Sequence, residues 1–396
     1  MTRKLRVCHV ITRLMVGGAQ EAAVLACARV DRGLFTSTLV AGTQTGAEGD
    51  LRPQADDLGV PTVAIPTLVR EVAPAKDVRA ARALRRLFRE QEPDVVHTHS
   101  SKAGLLGRWA ARRERVPVIV HTVHGWSFRD QMPRLVRATY VRLEQRAAAW
   151  CDRIVTVSEC DREKGLAAGV GSPEQYATIR EVNDLGPYEE HAGKREDARR
   201  RLRLPVGPPL VGTVGRFSEQ KDPRTWLRAA ALIARRRPDA YFVMIGDGSL
   251  RRETEGAAAD LGLADRLVTT GLRNDVPALL PALDVFLLTS RWEGLPLVLP
   301  QAMASAVPVV ASDIDGNREI VRDRVNGLLV PASSPEAAAS AVLEILGDAA
   351  LREQFVAAGR RTIPEFSLGQ TIPRLEALYR ECSGERAATD NAITPG

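Results

Sequence analysis

In the first half of the chain, short apolar runs alternate with segments whose apolar residues recur every three or four positions. The runs predict six strands, Leu5–Ile11, Ser37–Ala41, Thr62–Ile65, Val95–Thr98, Val118–Thr122 and Arg153–Val157. The intervening segments predict helices, among them Ala19–Arg29, Lys76–Glu90, Gly104–Arg113 and Met132–Ala149. Because strand and helix alternate regularly, the pattern indicates an α/β fold with a doubly wound parallel sheet.

A second series of the same kind follows a polar stretch rich in breakers, Ile179–Asp197. It predicts the strands Leu210–Val214, Ala240–Ile245, Leu267–Thr270, Asp284–Thr289, Val309–Ala311 and Gly327–Val330. A chain of 396 residues is too long for one ordinary core, so we expect two domains. They are predicted at residues 1–185 and 186–365. A C-terminal helix over 366–382 is expected to pack back on the first domain, followed by a disordered tail at 383–396.

Composition is that of a globular enzyme, with 44% hydrophobic and 26% charged residues. No apolar run approaches the length of a membrane span, and the basic N-terminal residues lead into a strand pattern rather than a secretory signal. The five cysteines are scattered without metal-type spacing, which suggests reduced thiols. These features predict a cytoplasmic protein.

Charge is unevenly distributed. Residues 1–185 carry 28 Lys+Arg and 21 Asp+Glu, a net +7, whereas the remainder carries 27 and 28, a net −1. A basic first half suggests an anionic partner such as a membrane surface, a lipid phosphate or an acidic glycan, and therefore peripheral contact with the inner membrane face. Aromatic residues make up only 5% of the chain, which disfavours nucleic acid.

Two arginine series are candidates for that contact, although most such series are simply solvated helix faces. One lies in Lys76–Glu90 and the other follows Trp126; their members are Arg79, Arg82, Arg86 and Arg89, and Arg129, Arg134, Arg137, Arg142 and Arg146.

The stretch from Ser290 to Pro308 carries the strongest candidate chemistry. A buried-type strand runs into the turn Glu293-Gly294-Leu295-Pro296, and proline is well suited to the first turn of a helix. Ligands of open α/β sheets bind at this strand edge, and helix starts favour anions. A carboxylate at such a place suggests that it holds something else, such as sugar hydroxyls. Gln301 falls two turns on, on the same side; the alternative is a surface Glu and a solvated Gln.

Three further loops in the second half follow predicted strands. The loop at residues 215–222 contains Arg216 and Lys221. A guanidinium that can bind two oxygens at once and a compact ammonium together suit a diphosphate. Gly246-Asp247-Gly248 is a turn at the next strand end. The backbone of residues 271–276, which include Arg273, Asn274 and Val276, could read a base edge.

In the first half, Gly17 and Gly18 open a helix and permit close backbone approach to a ligand, without the spacing of a dinucleotide site. Histidines end the next strands: His97 and His99, then His121 and His124. For His97 and His121, a structural role in capping a helix or within a loop is an alternative. For His124, the position before Gly125 in a loop favours a functional role. No cysteine or acidic partner completes a zinc pattern around them.

Taken together, these motifs resemble the retaining, nucleotide-sugar-dependent glycosyltransferases of family 4, from the Gly17-Gly18 loop to about residue 381. The match is greatest to members that build bacterial exopolysaccharides, capsules or glycolipids. The resemblance implies two facing Rossmann-like domains of the GT-B type, with the active site in the cleft between them. It also implies a UDP-linked sugar donor, a glycan or lipid-linked acceptor, retention of configuration, and neither cofactor nor metal.

Carried over by motif, Glu293 would contact donor-sugar hydroxyls, and Arg216 with Lys221 would hold the diphosphate. His124 would lie near the reacting sugar. The backbone of Gly294 and Leu295 would meet the donor, and Gly17 with Gly18 would lie under the phosphates or the acceptor. Further donor-binding candidates are Gly215, Gly246, Arg273, Asn274 and Val276, and acceptor-side candidates are His99 and Lys102.

Two positions depart from the family pattern. Gln301 replaces the second acid of the Glu-x7-Glu pair, which binds ribose hydroxyls, and Asn183-Asp184 replaces an Asn-Gly pair in the linker.

The alternatives to a glycosyltransferase are a nucleotide-sugar-binding subunit that has lost activity and, within the same fold, a sugar epimerase or a phosphorylase. A phosphorylase would need a lysine in the second half of the chain to hold pyridoxal phosphate, and neither Lys194 nor Lys221 is placed for that role.

Overall fold

The computed structural model describes residues 3–44, 48–129 and 132–392, and its contacts divide the chain into two compact units. Unit 1 contains the chain up to Asn183 and again from Leu368, and unit 2 contains Asp184–Ser367. These boundaries lie within two residues of those that composition predicts.

Unit 1 is built on seven parallel strands in the order β3-β2-β1-β4-β5-β6-β7. Their bounds are β1 Leu5–Arg13, β2 Phe35–Gly42, β3 Thr62–Ala64, β4 Val95–His99, β5 Val118–Val123, β6 Arg153–Thr156 and β7 Tyr176–Thr178. The prediction of a doubly wound parallel sheet is confirmed. Only β7 was missed, because three residues reading Tyr-Ala-Thr at a sheet edge carry almost no pattern.

The helices of this unit cover both faces of the sheet. They are α1 Gly18–Arg29, α2 Arg52–Asp57, α3 Pro74–Gln91, α4 Ser101–Arg113, α5 Arg134–Ala148 and α6 Glu159–Ala167, with a 3-10 turn at Pro173–Gln175. Leu84 and Phe88 of α3 and Ala110 of α4 are buried against Val96 of β4. Apolar residues at helical spacing thus form the core that the sequence pattern predicts.

Unit 2 repeats the design with six parallel strands in the order β10-β9-β8-β11-β12-β13. They are β8 Leu210–Val214, β9 Tyr241–Ile245, β10 Leu267–Thr269, β11 Val285–Leu288, β12 Val309–Ser312 and β13 Leu328–Val330. Its helices are α7 Gly186–His191, α8 Arg195–Leu202, α9 Pro223–Arg236, α10 Arg251–Asp260, α11 Val276–Leu279, α12 Val298–Ala304, α13 Asp315–Arg318, α14 Pro335–Gly347 and α15 Ala349–Thr362, with 3-10 turns at Leu280–Ala282 and Ile363–Phe366. In both sheets the strand order reverses at one point, between β1 and β4 and between β8 and β11.

A last helix, α16 Leu368–Ala392, returns to unit 1. Its Ile372, Leu375, Leu378 and Tyr379 are buried with Val7 of β1, and Leu375 lies three or four residues from each of the other three in the helix. Helix α16 extends to Ala392, past residue 383, where the tail was predicted to begin. Residues 393–396 lie outside the described part of the chain. Among the described helices, none is both long and apolar enough to cross a membrane.

Candidate active site

In unit 2, the loops after β8 and β11 meet where the strand order reverses, the usual place for a ligand in an open α/β sheet. The hydroxyl of Thr289, just after β11, donates to the backbone carbonyls of Lys221 and Asp222, each at 3.1 Å. The backbone N–H of Arg291 donates to the carbonyl of Gln220 at 2.8 Å. The two loops are therefore joined through their backbones, and their side chains are held in register.

The carboxylate of Glu293 lies at the centre of this junction, with its side chain 8% exposed. It accepts from Lys221 Nζ at 2.5 Å, from Ser290 Oγ at 2.7 Å and from Gln220 Nε2 at 3.0 Å. A carboxylate offers about four acceptor sites and an ammonium three donors. The arrangement thus leaves Glu293 roughly one acceptor site, and Lys221 about two N–H groups, for a ligand.

Arg216 is brought to the same place. It is half-buried and lines a small cavity with Gly215, Lys221 and Thr289. The methylene groups of Lys221 lie over Gly215, about 3.4 Å from where a Cβ would stand. The two cations that the sequence pairs are therefore neighbours in the fold.

Two glycines let neighbouring backbones close on this region. Gly246, at φ 137°, would place a Cβ 2.1 Å from the carbonyl oxygen of Gly215, and its N–H donates to Gly271 at 3.0 Å. Gly316 in α13 would place a Cβ 2.5 Å from the carbonyl oxygen of Gly294. Larger residues would push these loops apart, so the close approach depends on glycine.

The loop at residues 271–276 is braced by an internal ion pair. Arg273 makes a bidentate contact with Asp275, both N···O distances being 2.7 Å. The Arg273 guanidinium holds the pKa of Asp275 below its usual value. Asn274 is exposed and Val276 begins α11. The guanidinium of Arg273 is thus engaged within the loop.

Helix α12 begins at Val298, so Pro296 lies two residues before the helix rather than in its first turn. The reason is Pro300, whose missing N–H is tolerated only in a first turn. The carbonyl of Pro296 instead accepts from the N–H of Leu299 at 3.2 Å. Gln301 lies in this helix and is only 4% exposed, so it is not the solvated residue of the alternative reading. Leu295 is also buried, at 5%.

In unit 1, a chain of hydrogen-bonded imidazoles lies along one face of the sheet. His9 of β1 pairs in register with His97 of β4, and His99 is two residues further on the same face. His9 Nδ1 lies 3.1 Å from His99 Nε2, and His99 Nδ1 lies 3.0 Å from His124 Nε2. The chain ends at Glu181, whose Oε1 lies 2.8 Å from His124 Nδ1.

One arrangement with a single proton on each imidazole satisfies all three contacts. In it, His124 donates from Nδ1 to Glu181, and its Nε2 accepts from His99. His99 in turn accepts on Nε2 from His9. Both ring nitrogens of His124 are thereby engaged, and the side chain is 9% exposed. Burial lowers the pKa of His9 to about 3 and the pKa of His99 well below its usual value, so both rings are neutral near pH 7.

His97 is satisfied by hydroxyl groups rather than by the imidazole chain. Its two nitrogens lie 2.6 Å from the hydroxyls of Tyr379 in α16 and Thr122 in β5. Nitrogens of His9, His97 and His99 lie within 4.8 Å of one another, close enough to be considered as a metal ligand set. The partners described above satisfy His97 and His99 without an ion.

The remaining first-half candidates make other contacts. Lys102 donates to Asp77 Oδ1 at 2.7 Å and to the carbonyl of Glu71, so the expected acceptor contact would have to compete with that ion pair. Gly17 caps α1 in an extended conformation with φ 174°, and Gly18 is the first residue of the helix. His121 Nδ1 lies 2.9 Å from the Thr98 hydroxyl.

Several residues of the site were missed from the sequence: Gln220, Ser290, His9, Glu181 and Tyr379. Gln220 and Ser290 belong to motifs that were singled out, and His9 is a polar residue inside an apolar strand, a signal that could have been used. Glu181 and Tyr379 reach the histidines from 57 and 282 residues away, and no local pattern reveals such contacts.

Comparisons with known proteins identify the family of the chain. The family described as glycosyl transferases group 1 matches residues 194–362, and the glycosyl transferase 4-like domain matches residues 16–180. The UDP-Gal:alpha-D-GlcNAc-diphosphoundecaprenol alpha-1,3-galactosyltransferase of Escherichia coli is 30% identical over 379 residues, which are 95% of this chain and 97% of that protein. The putative glycosyltransferase EpsD of Bacillus subtilis is 27% identical over 75% of this chain and 79% of its own length.

The fold is also shared with solved structures. The crystal structure of Anabaena HepE in complex with UDP and glucose superposes with a TM-score of 0.82 at 19% identity, over 95% of this chain and 100% of that one. This likeness shows the GT-B type of fold, with two Rossmann-like domains. On the two family matches and the full-length relative, the chain belongs to the glycosyltransferases with a group 1 domain and a family 4-like domain.

Proposed function

We propose that this glycosyltransferase moves a sugar from a UDP-linked donor to a lipid-linked or glycan acceptor, with retention of configuration and without a metal ion. The observation that carries the proposal is that Arg216 and Lys221, both in the loop after β8, line the same small cavity. Two fixed cations at a strand end suit the diphosphate of a nucleotide sugar.

The chemistry of transfer explains the need for such a site. Breaking the anomeric bond leaves positive charge on the sugar and negative charge on the departing nucleoside diphosphate. Arg216 and Lys221 stabilise that negative charge in a preorganised way, which takes the place of a divalent ion. Glu293, fixed by Lys221, Ser290 and Gln220, offers its remaining lone pair to a donor-sugar hydroxyl.

Retention of configuration is proposed on the resemblance to the family and not on a covalent nucleophile identified in the site. In this proposal the acceptor hydroxyl attacks the face from which the diphosphate departs, and the departing phosphate oxygen takes its proton. As the resemblance implies, His124 lies near the reacting sugar in this proposal, and the backbone N–H groups of Gly294 and Leu295 contact the donor. Gln301 contacts the ribose through its amide.

The names of similar proteins support the choice of substrates. The E. coli relative is named for a UDP-galactose donor and an undecaprenol-linked diphosphate acceptor, and HepE was crystallised with UDP and glucose. We infer the same classes here, a UDP-sugar and an isoprenoid diphosphate-linked glycan, in the synthesis of a cell-surface polysaccharide or glycolipid. An isoprenoid acceptor would place the reaction at the inner face of the membrane.

The test is a thermal-shift panel of nucleotide sugars, followed by transfer assays with the donors that stabilise the protein. A true donor raises the melting temperature by mass action. Release of UDP in the presence of a prenyl diphosphate-linked acceptor would support transfer. Binding of a donor without any hydrolysis or transfer would indicate instead a binding subunit, and interconversion of two UDP-sugars would indicate an epimerase.

A further inference from the structure

Asp222, the residue after Lys221, has an unusual backbone conformation. Its φ is 47° and its ψ is 62°, in the left-handed region that residues other than glycine rarely adopt, although aspartate does so more readily than most. The residue is only 7% exposed, and it forms the N-cap of α9, whose first residue is Pro223. A buried carboxylate is therefore located where the chain leaves the loop after β8 and enters α9.

The carboxylate of Asp222 joins α9 to two loops that are distant in the sequence. Its Oδ1 accepts from the N–H of Thr225 at 3.2 Å, and its Oδ2 accepts from the Thr225 hydroxyl at 2.8 Å. Oδ2 also accepts from the hydroxyl of Ser333, after β13, at 3.2 Å, and it lies 3.4 Å from Nε of Arg291, after β11. One side chain therefore ties the loop after β8 to those after β11 and β13.

The backbone on either side of the Lys221–Asp222 peptide bond is also held. The hydroxyl of Thr289 donates to the carbonyls of both residues, each at 3.1 Å, and the Asp222 carbonyl accepts from the N–H of Trp226 at 3.3 Å. Both Thr289 and Trp226 are buried. Because the Lys221 ammonium is carried on a flexible four-carbon stem, its position beside Glu293 depends on a fixed backbone. A shift of Asp222 would therefore displace the ammonium group.

Helix capping alone does not account for this arrangement. An N-cap residue ordinarily has an extended backbone and one side-chain acceptor. Asp348 at the start of α15 is of this ordinary kind, since its φ is −123° and its carboxylate accepts from the N–H of Leu351 at 3.0 Å. Asp222 instead combines a left-handed backbone with contacts to Ser333 and Arg291, which lie outside the helix that it caps. These additional contacts hold the turn that carries Lys221.

We propose that Asp222 is a positioning residue for Lys221. Its carboxylate holds the turn in the left-handed conformation that directs the Lys221 ammonium towards Glu293 and the donor diphosphate. This inference rests on the proposed role of Lys221 in binding the diphosphate, and it assigns Asp222 no contact with the donor. A cation that is already fixed loses less freedom when the donor binds, so the contribution of Asp222 should appear in the affinity for UDP.

Asp222→Gly tests this proposal on the full chain, because glycine accepts the left-handed backbone without strain and is itself an acceptable N-cap residue. Calorimetry is expected to show UDP binding to the folded protein weakened about tenfold, which lies within the contribution of Lys221 itself. Asp222→Asn, which keeps the shape of the side chain and an acceptor oxygen, should bind UDP within about threefold of the wild type. In a Lys221→Ala background, Asp222→Gly should cause no further loss of affinity.

The matched control is Asp348→Gly, the same substitution at the N-cap of α15 in unit 2. It should leave the affinity for UDP unchanged although it removes a helix cap. Wild-type affinity in Asp222→Gly, or an equal loss with and without Lys221, would overturn the inference while the diphosphate assignment stood. Unchanged affinity in Lys221→Ala alone would overturn the assignment and the inference together.

Discussion

Lys221 and Glu293 form an ion pair between two strand-end loops, with Nζ 2.5 Å from Oε1. The family resemblance assigns them to different parts of a donor, the diphosphate and the sugar. Their side chains are 19% and 8% exposed, so each also stabilises the other within the fold. Substitutions at this pair therefore change stability as well as binding, and the two effects have to be separated.

Arg216→Ala and Lys221→Ala are each expected to weaken UDP binding by about ten- to a hundredfold, the usual worth of a hydrogen bond to a charged group. Lys221→Ala should also destabilise unit 2, by about 1–3 kcal/mol, because Glu293 would lose its cation while mostly buried. Calorimetry and urea unfolding measure the two effects. As a control, adding Glu293→Gln to Lys221→Ala should recover stability without recovering affinity. Unchanged UDP affinity in both single variants would contradict the diphosphate assignment.

Glu293→Gln and Gln301→Ala should differ in which kinetic constant they change. A contact to the reacting sugar strengthens in the transition state, so Glu293→Gln should lower kcat. A ribose contact is remote from the breaking bond, so Gln301→Ala should raise the donor KM with kcat little changed. Gln301→Glu, which restores the acid of the family pattern, should be tolerated. Steady-state kinetics at matched fractions of folded protein decide the question, and a similar kcat loss in Gln301→Ala would refute the division of roles.

Glu181 should act as a positioning residue for His124. Glu181→Gln removes the charge that keeps the His124 proton on Nδ1, so a mixture of tautomers is expected. Long-range ¹H–¹⁵N spectra of ¹⁵N-histidine-labelled protein, which contains six histidines, report this directly. We expect kcat to fall while UDP affinity, which depends on unit 2, stays the same.

The control for this experiment is Thr122→Val, which removes a hydrogen bond from His97 without touching His124. It should leave the His124 tautomer as in the wild type. If Glu181→Gln also left the tautomer unchanged, the positioning role would be wrong whatever happened to kcat.

Unit 1 should lose stability as the pH falls below about 6.5. Burial lowers the pKa of His9 to about 3 and lowers those of His97, His99 and His121 well below 6.5. In the window between the folded and unfolded pKa values the unfolded chain binds more protons, so the free energy of unfolding rises with pH. Each such histidine contributes a slope of up to about 1.4 kcal/mol per pH unit.

Urea unfolding at pH 7, 6 and 5 measures that slope. His9→Gln should reduce it by about one proton, because one buried imidazole no longer has to stay neutral. The half-buried His191 in α7 is the matched site, and His191→Gln should leave the slope of unit 1 unchanged because this residue belongs to unit 2. A pH-independent stability of unit 1 would show that the buried rings are not held neutral.

Much of the fold could be predicted from the sequence because its signals are local. Runs such as residues 118–120 and Val285–Leu288 are apolar throughout, as is typical of strands buried on both faces, and the alternating helices imply parallel strands. The motif loops that contain Arg216, Lys221 and Glu293 could likewise be assigned, because each directly follows a predicted strand and parallel strands bring such loops to one edge.

Tertiary structure alone decided which of these residues touch. Lys221 and Glu293 are 72 residues apart, and their pairing depends on β8 lying next to β11. The imidazole chain depends on the strand register that places His9 beside His97. It also depends on the contact between His124 and Glu181, which are 57 residues apart in the sequence. Likewise, only the tertiary structure shows that Gln301 is buried, because the sequence of α12 does not reveal which of its faces packs inward. Hydrophobic periodicity encodes elements and faces, whereas hydrogen-bond partners far apart in sequence are set by strand order and packing, which no local pattern records.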